Sequence, residues 1–439
     1  MHNLKFHKII SWVLPLMLFV GCIKEDVNSD TGNNQDEYKT SLPVIMIHGA
    51  LASGDTYARP TMLLTSNNYP ETLLFAFDWN SLGGANAEAQ TSLDAFIDII
   101  LTQTGKEKCI LIGHSAGGGL GYSYCTDTKR ASKVSKYIHI GSNPQSKPAG
   151  PNGEIPTLNI YSKGDKIVQG ADIPGATNTI FETLDHYQVA TSTESFEAIY
   201  KFIKDGKNPL TKTIKTENQI KIKGKVVTLG ENKPDTKVKV DMYYVNPATG
   251  ERKGNPIHTF SPDSEGNFGP LSFLPNEYTE FEISSSEQGF RTLHYYRESF
   301  TRSNNFVYLR TFPPASSLAG ILLSSLPKSD LQSVVAVFTA NQAVINQRDQ
   351  LFVQNKELSN STLCAPSNST IAMFLYDNGD KSSSGSPHAT FSFIPFLKGA
   401  DIFFPTEQPA PIEISFNSRK MNVKNYKSES EGVIIAVFD

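Results

Sequence analysis

The sequence predicts an α/β domain with a central, mostly parallel sheet, followed by an all-β region of the sandwich or barrel type. Between residues 42 and 206, short apolar runs alternate with segments of helical periodicity. This pattern is typical of parallel strands covered by helices on both faces. After residue 219 the apolar segments are short and alternating, or rich in β-branched and aromatic residues, and turn-forming clusters separate them. They indicate strands alone, and a chain of 439 residues is long enough for both parts.

The α/β domain is expected over residues 42–206. One helix is indicated by apolar residues at helical spacing between Leu93 and Leu101, with Gly105 placed to end it. A second amphipathic helix ends near Gly206. The strands are predicted at the apolar runs 44–47, 73–77, 109–112, 137–140, 157–161 and 179–184.

Polar and proline-rich segments divide the rest of the chain. Residues 207–218 are polar and contain a proline, so they are predicted to be a linker. The β region that follows is longer than the commonest domain, which favours two units. We expect a β-sandwich domain over residues 219–312 and a second all-β domain over residues 313–439, with Pro313-Pro314 marking the division.

The first 22 residues have the pattern of an export signal peptide. Two lysines precede an apolar run over residues 9–20, which is too short to cross a bilayer comfortably. The run ends in Phe-Val-Gly-Cys, which resembles the lipobox of bacterial lipoproteins and predicts lipidation of Cys22. Acyl chains there would attach the protein to a membrane without a transmembrane helix. The alternative is an ordinary signal peptide with an incidental cysteine.

The segment after the cysteine predicts where the protein is exported. Residues 23–41 are polar and are expected to form a flexible tether. The charged residues at its start, Lys24-Glu25-Asp26, resemble the export signal of surface lipoproteins in Gram-negative bacteria. We therefore expect an outer-membrane or cell-surface lipoprotein, with a secreted or periplasmic protein as the alternative.

Composition argues against several classes of function. The formal net charge is only −4 and no basic stripe is present, which argues against a nucleic-acid partner. The four cysteines have no paired spacing, so neither a disulfide framework nor a zinc site is indicated. We expect no metal and no cofactor. Nothing in the sequence indicates an oligomeric state.

The segment Gly-His-Ser-Ala-Gly, residues 113–117, predicts a nucleophilic serine. It lies between an apolar run and a helix, the context of a nucleophile elbow, in which the serine occupies a sharp turn from strand to helix. Gly113 and Gly117 would allow neighbouring chain segments to approach this turn closely. The bare pattern arises by chance in about one chain in ten of this length, so a glycine-rich turn without chemistry is the alternative for Ser115.

A serine nucleophile needs a general base and an acid that orients the base. Asp165 follows a predicted strand, and His186 follows the next one, so both lie at strand ends. Asp172 and Asp185 are alternatives to Asp165, although Asp172 lies well into a loop and Asp185 directly adjoins the histidine. The other downstream histidines lie in the β region, so His186 is the predicted base.

Two backbone N–H groups are candidates for an oxyanion hole. The first predicted strand ends in His48-Gly49, and the N–H of the next residue, Ala50, is one candidate. The other is the N–H of Ala116, directly after the predicted nucleophile. The His48 side chain is expected to pack and hydrogen-bond within its own loop. His114 belongs to the elbow and is not expected to be the base.

Four segments together resemble the α/β-hydrolase family, and within it the small bacterial lipases and esterases. They are PVIMIHGA, GHSAGG, NIYSKGDKIV and LDHYQVATS, within residues 42–205. The resemblance implies an α/β-hydrolase fold, a Ser115–His186–Asp165 triad and an acyl-ester lipid as substrate. The β region resembles the C-terminal part of certain two-domain prokaryotic lipases, which helps to cover or bind acyl chains. Residues 219–284 also look like a transthyretin-like or carboxypeptidase-regulatory β-sandwich.

One departure from many lipases bears on access to the site. The segment 141–156 is short and rich in proline and glycine, and it carries no helical cap. Either the site is open or the β region covers it. The predicted function is a serine carboxylic-ester hydrolase. The alternatives are a polyester or phospholipid acyl hydrolase with the same triad, and a surface adhesin or glycan-binding lipoprotein whose hydrolase domain is inactive.

Overall fold

The computed structural model describes residues 33–392, 394–407 and 410–439. The predicted signal peptide and the lipidation of Cys22 lie outside these ranges. Within them, no helix combines the length and the apolar character that crossing a bilayer requires.

The N-terminal domain contains a six-stranded sheet in which every neighbouring pair is parallel, in the order β2-β1-β3-β4-β5-β6. The predicted α/β class is therefore confirmed. The inner strands are buried on both faces, as parallel strands between helical layers are. The strands are β1 (Val44–Ile47), β2 (Leu74–Phe77), β3 (Cys109–His114), β4 (Val134–Ile140), β5 (Thr157–Ser162) and β6 (Thr177–Phe181).

Helices cover both faces of this sheet. The helices are α1 (Asn33–Thr40), α2 (Ala58–Ser66), α3 (Ala87–Thr104), α4 (Ala116–Tyr124), α5 (Thr128–Ala131), α6 (Gln188–Thr191) and α7 (Thr193–Ile203). One apolar cluster joins α2, α6 and α7 to the sheet, and another joins α3, α4 and α5 to its opposite face. As predicted, α3 ends at Gly105, which takes the left-handed conformation with φ 65°.

A flexible tether is expected at residues 23–41, but the part of it that the structure describes is almost entirely helical. Residues 33–40 form α1, which packs against the α/β domain. The hydroxyl of Tyr38 donates a hydrogen bond to the carbonyl of Thr104 at 3.2 Å, and the ammonium of Lys106 donates to the carbonyl of Tyr38 at 2.8 Å. These tertiary contacts supply hydrogen bonds near the C-terminal end of α1. Such a short polar helix would be only marginally stable by itself.

The C-terminal region consists mostly of strands in mixed and antiparallel sheets. Residues 204–219, all of which are described, form neither helix nor strand. After them come a three-stranded sheet (β10-β7-β13), an eight-stranded sheet (β18-β17-β14-β21-β12-β11-β8-β9) and a four-stranded sheet (β16-β15-β19-β20). One short helix, α8 (Leu318–Ser324), lies between β13 and β14.

The strands of this region are between two and nine residues long. They are β7 (Ile220–Thr228), β8 (Lys239–Tyr244), β9 (His258–Phe260), β10 (Asn267–Phe273), β11 (Thr279–Ser284), β12 (Leu293–Arg297), β13 (Asn304–Thr311), β14 (Val335–Thr339), β15 (Leu351–Val353), β16 (Lys356–Glu357), β17 (Ala372–Tyr376), β18 (Leu397–Asp401), β19 (Ile412–Phe416), β20 (Arg419–Val423) and β21 (Val433–Phe438).

The division predicted at residue 313 does not separate two β domains with cores of their own. The last strand, β21, lies between β14 and β12 and pairs in parallel with both. The eight-stranded sheet therefore continues across residue 313, and the apolar cluster on each of its faces draws residues from both predicted units. The physical reason is that β21 covers strand edges of both units that would otherwise be open.

The β region is docked on the α/β domain through buried polar contacts. The Asn232 side chain donates hydrogen bonds to the carbonyl of Ala52 at 2.8 Å and accepts one from the Ser53 hydroxyl at 2.6 Å. Arg310 forms an ion pair with Asp55, and both side chains are largely buried. These contacts hold the loop that follows β1, which carries one of the predicted oxyanion donors.

Candidate active site

Ser115 occupies a sharp turn between β3 and α4. Its backbone has φ 53° and ψ −122°, a combination that is strained for a residue with a side chain. A Cβ added to Gly117 would lie 2.3 Å from the carbonyl oxygen of Ile47, and one added to Gly113 would lie 2.4 Å from the carbonyl oxygen of Gly117. Both glycines are therefore required by close approach of the backbone, as the elbow pattern implies.

Ser115, His186 and Asp165 form a continuous chain of hydrogen bonds. The distance from Ser115 Oγ to His186 Nε2 is 2.9 Å, and that from His186 Nδ1 to Asp165 Oδ2 is 2.7 Å. The Asp165 carboxylate can only accept a hydrogen bond, so Nδ1 must be the donor and must carry the proton of the neutral imidazole. Nε2 is then free to accept the serine proton, which is the arrangement that nucleophilic activation needs.

The Asp165 carboxylate is held in its charged form. Burial alone would raise its pKa, but the hydrogen bond and the charge of His186 and the N–H groups of Val168 and Ile167 outweigh burial and lower the pKa below its usual value. The two N–H groups bind Oδ1 at 3.0 and 2.8 Å, so Oδ2 remains directed at the histidine. The carboxylate thus has one oxygen fixed by the backbone and one that orients the imidazole.

The two alternative acids have other partners. Asp172 is exposed and accepts a hydrogen bond from the Tyr161 hydroxyl at 2.9 Å. Asp185 forms an ion pair with Arg348 at 2.8 Å and accepts the N–H groups of the two residues after His186. Neither carboxylate reaches the imidazole in a hydrogen bond. Asp185 shapes the loop around the histidine and attaches it to the β region through Arg348.

The two predicted oxyanion donors lie on either side of the nucleophile. Ala116 is the first residue of α4, so its N–H has no partner within the helix. Ala50 lines the small cavity that contains Ser115 and His186. A Cβ added to Gly49 would lie 3.0 Å from the Ser115 Cβ, so the loop after β1 runs directly beside the serine. An anion at Ser115 would meet a helix N-terminus.

His48 has the structural role that the sequence indicated. Its Nδ1 donates to the carbonyl of Gly49 at 2.8 Å, and its Nε2 accepts from the N–H of Trp79 at 3.3 Å. The Asn232 amide of the β region also lies 3.3 Å from Nε2. Burial lowers the pKa of His48, despite the opposing charge of Asp78. The neutral ring therefore holds the loop of Ala50 in place.

His114 positions the backbone of the histidine loop. Its Nε2 donates to the carbonyl oxygen of His186 at 2.8 Å, and the two ring centroids lie 4.9 Å apart. Burial, followed by the charge of His186, lowers the pKa of His114 to about 3. The ring is therefore neutral at pH 7 and unsuited to act as the general base.

The β region covers the site. Phe396 stacks on the imidazole of His186, with centroids 6.0 Å apart and planes 10° apart. Ser369 and Ile371 line the same small cavity as Ser115. Of the two arrangements left open by the sequence, the covered one is present. Sequence reasoning missed these three residues because each lies in the β region, more than 180 positions from the histidine, with no motif around it.

A larger apolar cavity of about 350 Å³ adjoins the nucleophile. It shares Ala50, Tyr187, Ile371 and Phe396 with the small cavity at Ser115. Both domains line it: the α/β domain contributes Leu51 and Leu82, and the β region contributes Leu229, Phe338, Ile394 and Val437. Asp55 and Arg310, the charged residues in its wall, are paired with each other. The cavity can hold an apolar chain beside the serine.

Comparison with protein-family models divides the chain into three parts. Residues 43–164 match the model described as the alpha/beta hydrolase fold. Residues 218–314 match the lipase C-terminal domain. A third model, described as a C-terminal domain, matches residues 337–439. The second and third matches both lie in the β region. Residues 165–217, which contain Asp165 and His186, and residues 315–336 lie between the matched segments.

Several solved structures are similar to part of this chain at low sequence identity. A meta-cleavage product hydrolase from Pseudomonas fluorescens is 14% identical and covers 38% of this chain and 92% of its own, with a TM-score of 0.30. Naproxen esterase from Bacillus subtilis is 13% identical, with coverages of 37% and 84% and a TM-score of 0.28. Aspergillus fumigatus lipase B is 14% identical, with coverages of 42% and 57% and a TM-score of 0.32.

Proposed function

We propose that this chain, whose residues 43–164 match the alpha/beta hydrolase fold, is a serine hydrolase that cleaves the carboxylic esters of lipids. The observation that carries the proposal is the hydrogen-bonded chain from Ser115 through His186 to Asp165, at 2.9 and 2.7 Å. It lies at a strained elbow beside two backbone N–H groups. This combination supports acyl transfer to serine.

In the first half of the proposed reaction, the Ser115 oxygen attacks the ester carbonyl while His186 Nε2 takes the serine proton. The carbonyl oxygen becomes an oxyanion, which the N–H groups of Ala50 and Ala116 stabilise. The Asp165 carboxylate stabilises the imidazolium through Nδ1. His186 then gives its proton to the departing alcohol oxygen as the carbon–oxygen bond breaks, and an acyl-enzyme remains.

In the second half, water replaces the alcohol. His186 takes a proton from the water as its oxygen attacks the acyl carbon, and the same N–H groups bind the second oxyanion. The proton returns to Ser115 as the acyl–serine bond breaks, and the carboxylic acid leaves. One water is consumed, and the enzyme returns to its starting protonation state.

The apolar cavity beside Ser115 supports an acyl chain as the group it holds. Its volume of about 350 Å³ lies within the range of small-molecule sites. Leu82 and Ile321 are exposed, and each lies on a short helix. The first of these helices lines the cavity with Leu82 itself, and the second, α8, lines it with Leu323. Apolar side chains there would favour contact with a lipid surface.

The covered site bears on the alternatives. Phe396 over His186 leaves little room for a polyester surface to reach the serine, which favours a single extracted acyl chain from a glyceride or phospholipid. A surface adhesin whose hydrolase domain is inactive would not need a carboxylate, an imidazole and a serine that are hydrogen-bonded to one another. We therefore propose an active enzyme and assign the β region to covering and lining the site.

We further propose that a lipid at Cys22 anchors the enzyme to the outer membrane or the cell surface. Support comes from the lysine-flanked apolar run and its Phe-Val-Gly-Cys ending. Cys22→Ser should shift the protein from the membrane fraction to the soluble fraction, and mass spectrometry of the wild-type N-terminus should find an acylated cysteine. An unmodified wild-type N-terminus would contradict the anchor and leave the hydrolase assignment intact.

The hydrolase assignment is tested with p-nitrophenyl esters of two to sixteen carbons. The wild type should turn over all or part of the series, and Ser115→Ala should lose several orders of magnitude in kcat/KM. Asp172→Asn is the matched control, because this exposed carboxylate makes no contact with the site. Hydrolysis retained in Ser115→Ala would overturn the assignment.

A further inference from the structure

A cluster of three carboxylates lies in the β region, away from the proposed active site. Asp377 directly follows β17, Asp401 ends β18, and Asp380 lies in the loop between these strands. Each offers an oxygen, and these oxygens all lie within 4.8 Å of one another. Asp377 and Asp401 are 6% and 1% exposed, whereas Asp380 is exposed. Two of three close negative charges are therefore buried.

The parallel pairing of β17 and β18 produces this arrangement. Tyr376 is the register partner of Asp401, so the two strands end side by side. The loop after Asp377 then folds back along β18, where the N–H of Gly385 donates to the carbonyl of Asp401 and the N–H of Asp401 donates to the carbonyl of Ser386. The third carboxylate, Asp380, is brought close by this return of the chain.

The cluster has no lysine or arginine partner among the described residues, although the charge of His388 helps to lower the pKa of Asp401. Across residues 33–392, 394–407 and 410–439, no lysine or arginine forms an ion pair with any of the three carboxylates. Asp401 accepts hydrogen bonds on both oxygens, from Asn378 and Ser384. Asp377 Oδ2 accepts one from the N–H of Gly379, but Asp377 Oδ1 is buried and has no partner. A buried carboxylate oxygen without a donor is costly.

The other group of possible metal ligands in the β region shows the contrast. Glu280, Glu282 and His294 also lie close together, but Arg252 occupies that cluster. It donates two hydrogen bonds to Glu280, at 2.8 and 2.7 Å, and also pairs with Glu282. A guanidinium thus supplies the positive charge there, whereas no arginine or lysine in the described part of the chain forms an ion pair with Asp377.

We propose that Asp377, Asp380 and Asp401 bind a calcium ion. All three ligands are hard oxygens, which Ca²⁺ prefers, and no histidine or cysteine that would favour a transition metal belongs to the cluster. One Ca²⁺ with bonds of about 2.4 Å can bind oxygens that are up to about 4.8 Å apart, and the three ligand oxygens lie within 4.8 Å of one another. Mg²⁺ demands near-ideal octahedral geometry and gives up its waters reluctantly, so it should bind more weakly than Ca²⁺ there. This site differs from the absence of metal that the sequence predicted.

A bound ion would fix one end of the β17–β18 strand pair. The other end of this pair lines the proposed active site. Ile371 and Phe396 directly precede β17 and β18 and line the cavity at Ser115. The carboxylates lie about 16 Å away, five residues along the same strands. Because β18 is the edge strand of its sheet, a bound ion would tie its loop to the sheet. The site itself does not depend on the proposed hydrolase function.

The test measures calcium binding by the full-length protein, and not its activity. After dialysis against a chelator, 10 mM CaCl₂ should raise the melting temperature by about 1.5–3 °C, and isothermal titration should find one site with a Kd of about 10⁻⁴–10⁻³ M. MgCl₂ at the same concentration should have less effect. No calcium-dependent shift in the wild type, or an equal shift with magnesium, would overturn the proposal.

Two variants and one control locate the binding. Asp380 is exposed and asparagine has nearly the same shape as aspartate. The Asp380→Asn protein should therefore fold and lose the calcium response. Asp377→Asn should also lose the response and, in chelator, should melt no lower than the wild type, because it removes repulsion between buried charges. Asp172→Asn should respond like the wild type. A normal calcium response in Asp380→Asn and Asp377→Asn would overturn the proposal.

Discussion

Replacing Asp165 by asparagine should nearly abolish turnover while leaving the fold intact. In the structure, Oδ1 accepts two backbone N–H groups and Oδ2 accepts the Nδ1–H of His186. An asparagine would place its carbonyl oxygen at the two N–H donors and its NH₂ group opposite Nδ1. Two donors would then face each other, and the imidazole would move its proton to Nε2. It could no longer accept the proton of Ser115.

A triad with the wrong tautomer loses about 10⁴-fold in kcat, or about 5 kcal/mol of transition-state stabilisation. The assay is the rate with a soluble p-nitrophenyl ester at pH 8 for wild type, Asp165→Asn, Asp165→Ala and Asp172→Asn. Circular dichroism melts check that Asp165→Asn remains folded. If Asp165→Asn retained more than a tenth of the wild-type kcat while Asp172→Asn was fully active, Asp165 would not orient the base and the reasoning would fail.

Three further predictions concern the cover, the domain contact and the elbow. Phe396→Ala should lower kcat/KM for long-chain esters by about tenfold more than for a two-carbon ester, because its ring lines both cavities; equal losses at all chain lengths would contradict the acyl cavity. Arg348→Gln leaves the buried Asp185 without its ion-pair partner and should lower the free energy of unfolding by about 2 kcal/mol or more in urea. Adding Asp185→Asn should recover only part of this loss, because Arg348 also pairs with the buried Asp349. Burial, followed by the charge of His186, lowers the pKa of His114 to about 3, so only the unfolded chain takes up this proton between about pH 6.5 and 3. Stability should therefore fall as the pH falls through that range, and His114→Gln should flatten the slope.

The α/β domain and the three residues of the hydrogen-bonded chain could be placed from the sequence because their signals are local. Ser115 directly follows β3, and Asp165 and His186 lie three and five residues after the ends of β5 and β6; parallel strands bring their carboxyl ends to one edge of the sheet. The glycines at 113 and 117 could be assigned to close approach because they flank the sharp turn after β3. Each of these inferences needs only a strand and the few residues that follow it.

The cover of the site and the sheet pairing of the β region could not be predicted in this way. Phe396 reaches His186 through the docking of two domains, and β21 enters a sheet between strands that are about 100 and 140 residues earlier in the chain. Such long-range pairing depends on which edges are left open after the local elements form, and no local pattern encodes it. The packed helix α1 was missed for a related reason, because its stability comes from Lys106 and Thr104 and not from its own polar sequence.

The central claim is that Ser115 is an activated nucleophile. The most direct test is to react the purified protein with a fluorophosphonate, which phosphonylates activated serines, and to map the modified residue by peptide mass spectrometry. We predict stoichiometric modification of Ser115 in the wild type and none in His186→Ala, with ester hydrolysis lost in step with labelling. No labelling of the folded wild type, or modification of another serine that accounts for the loss of activity, would contradict the account.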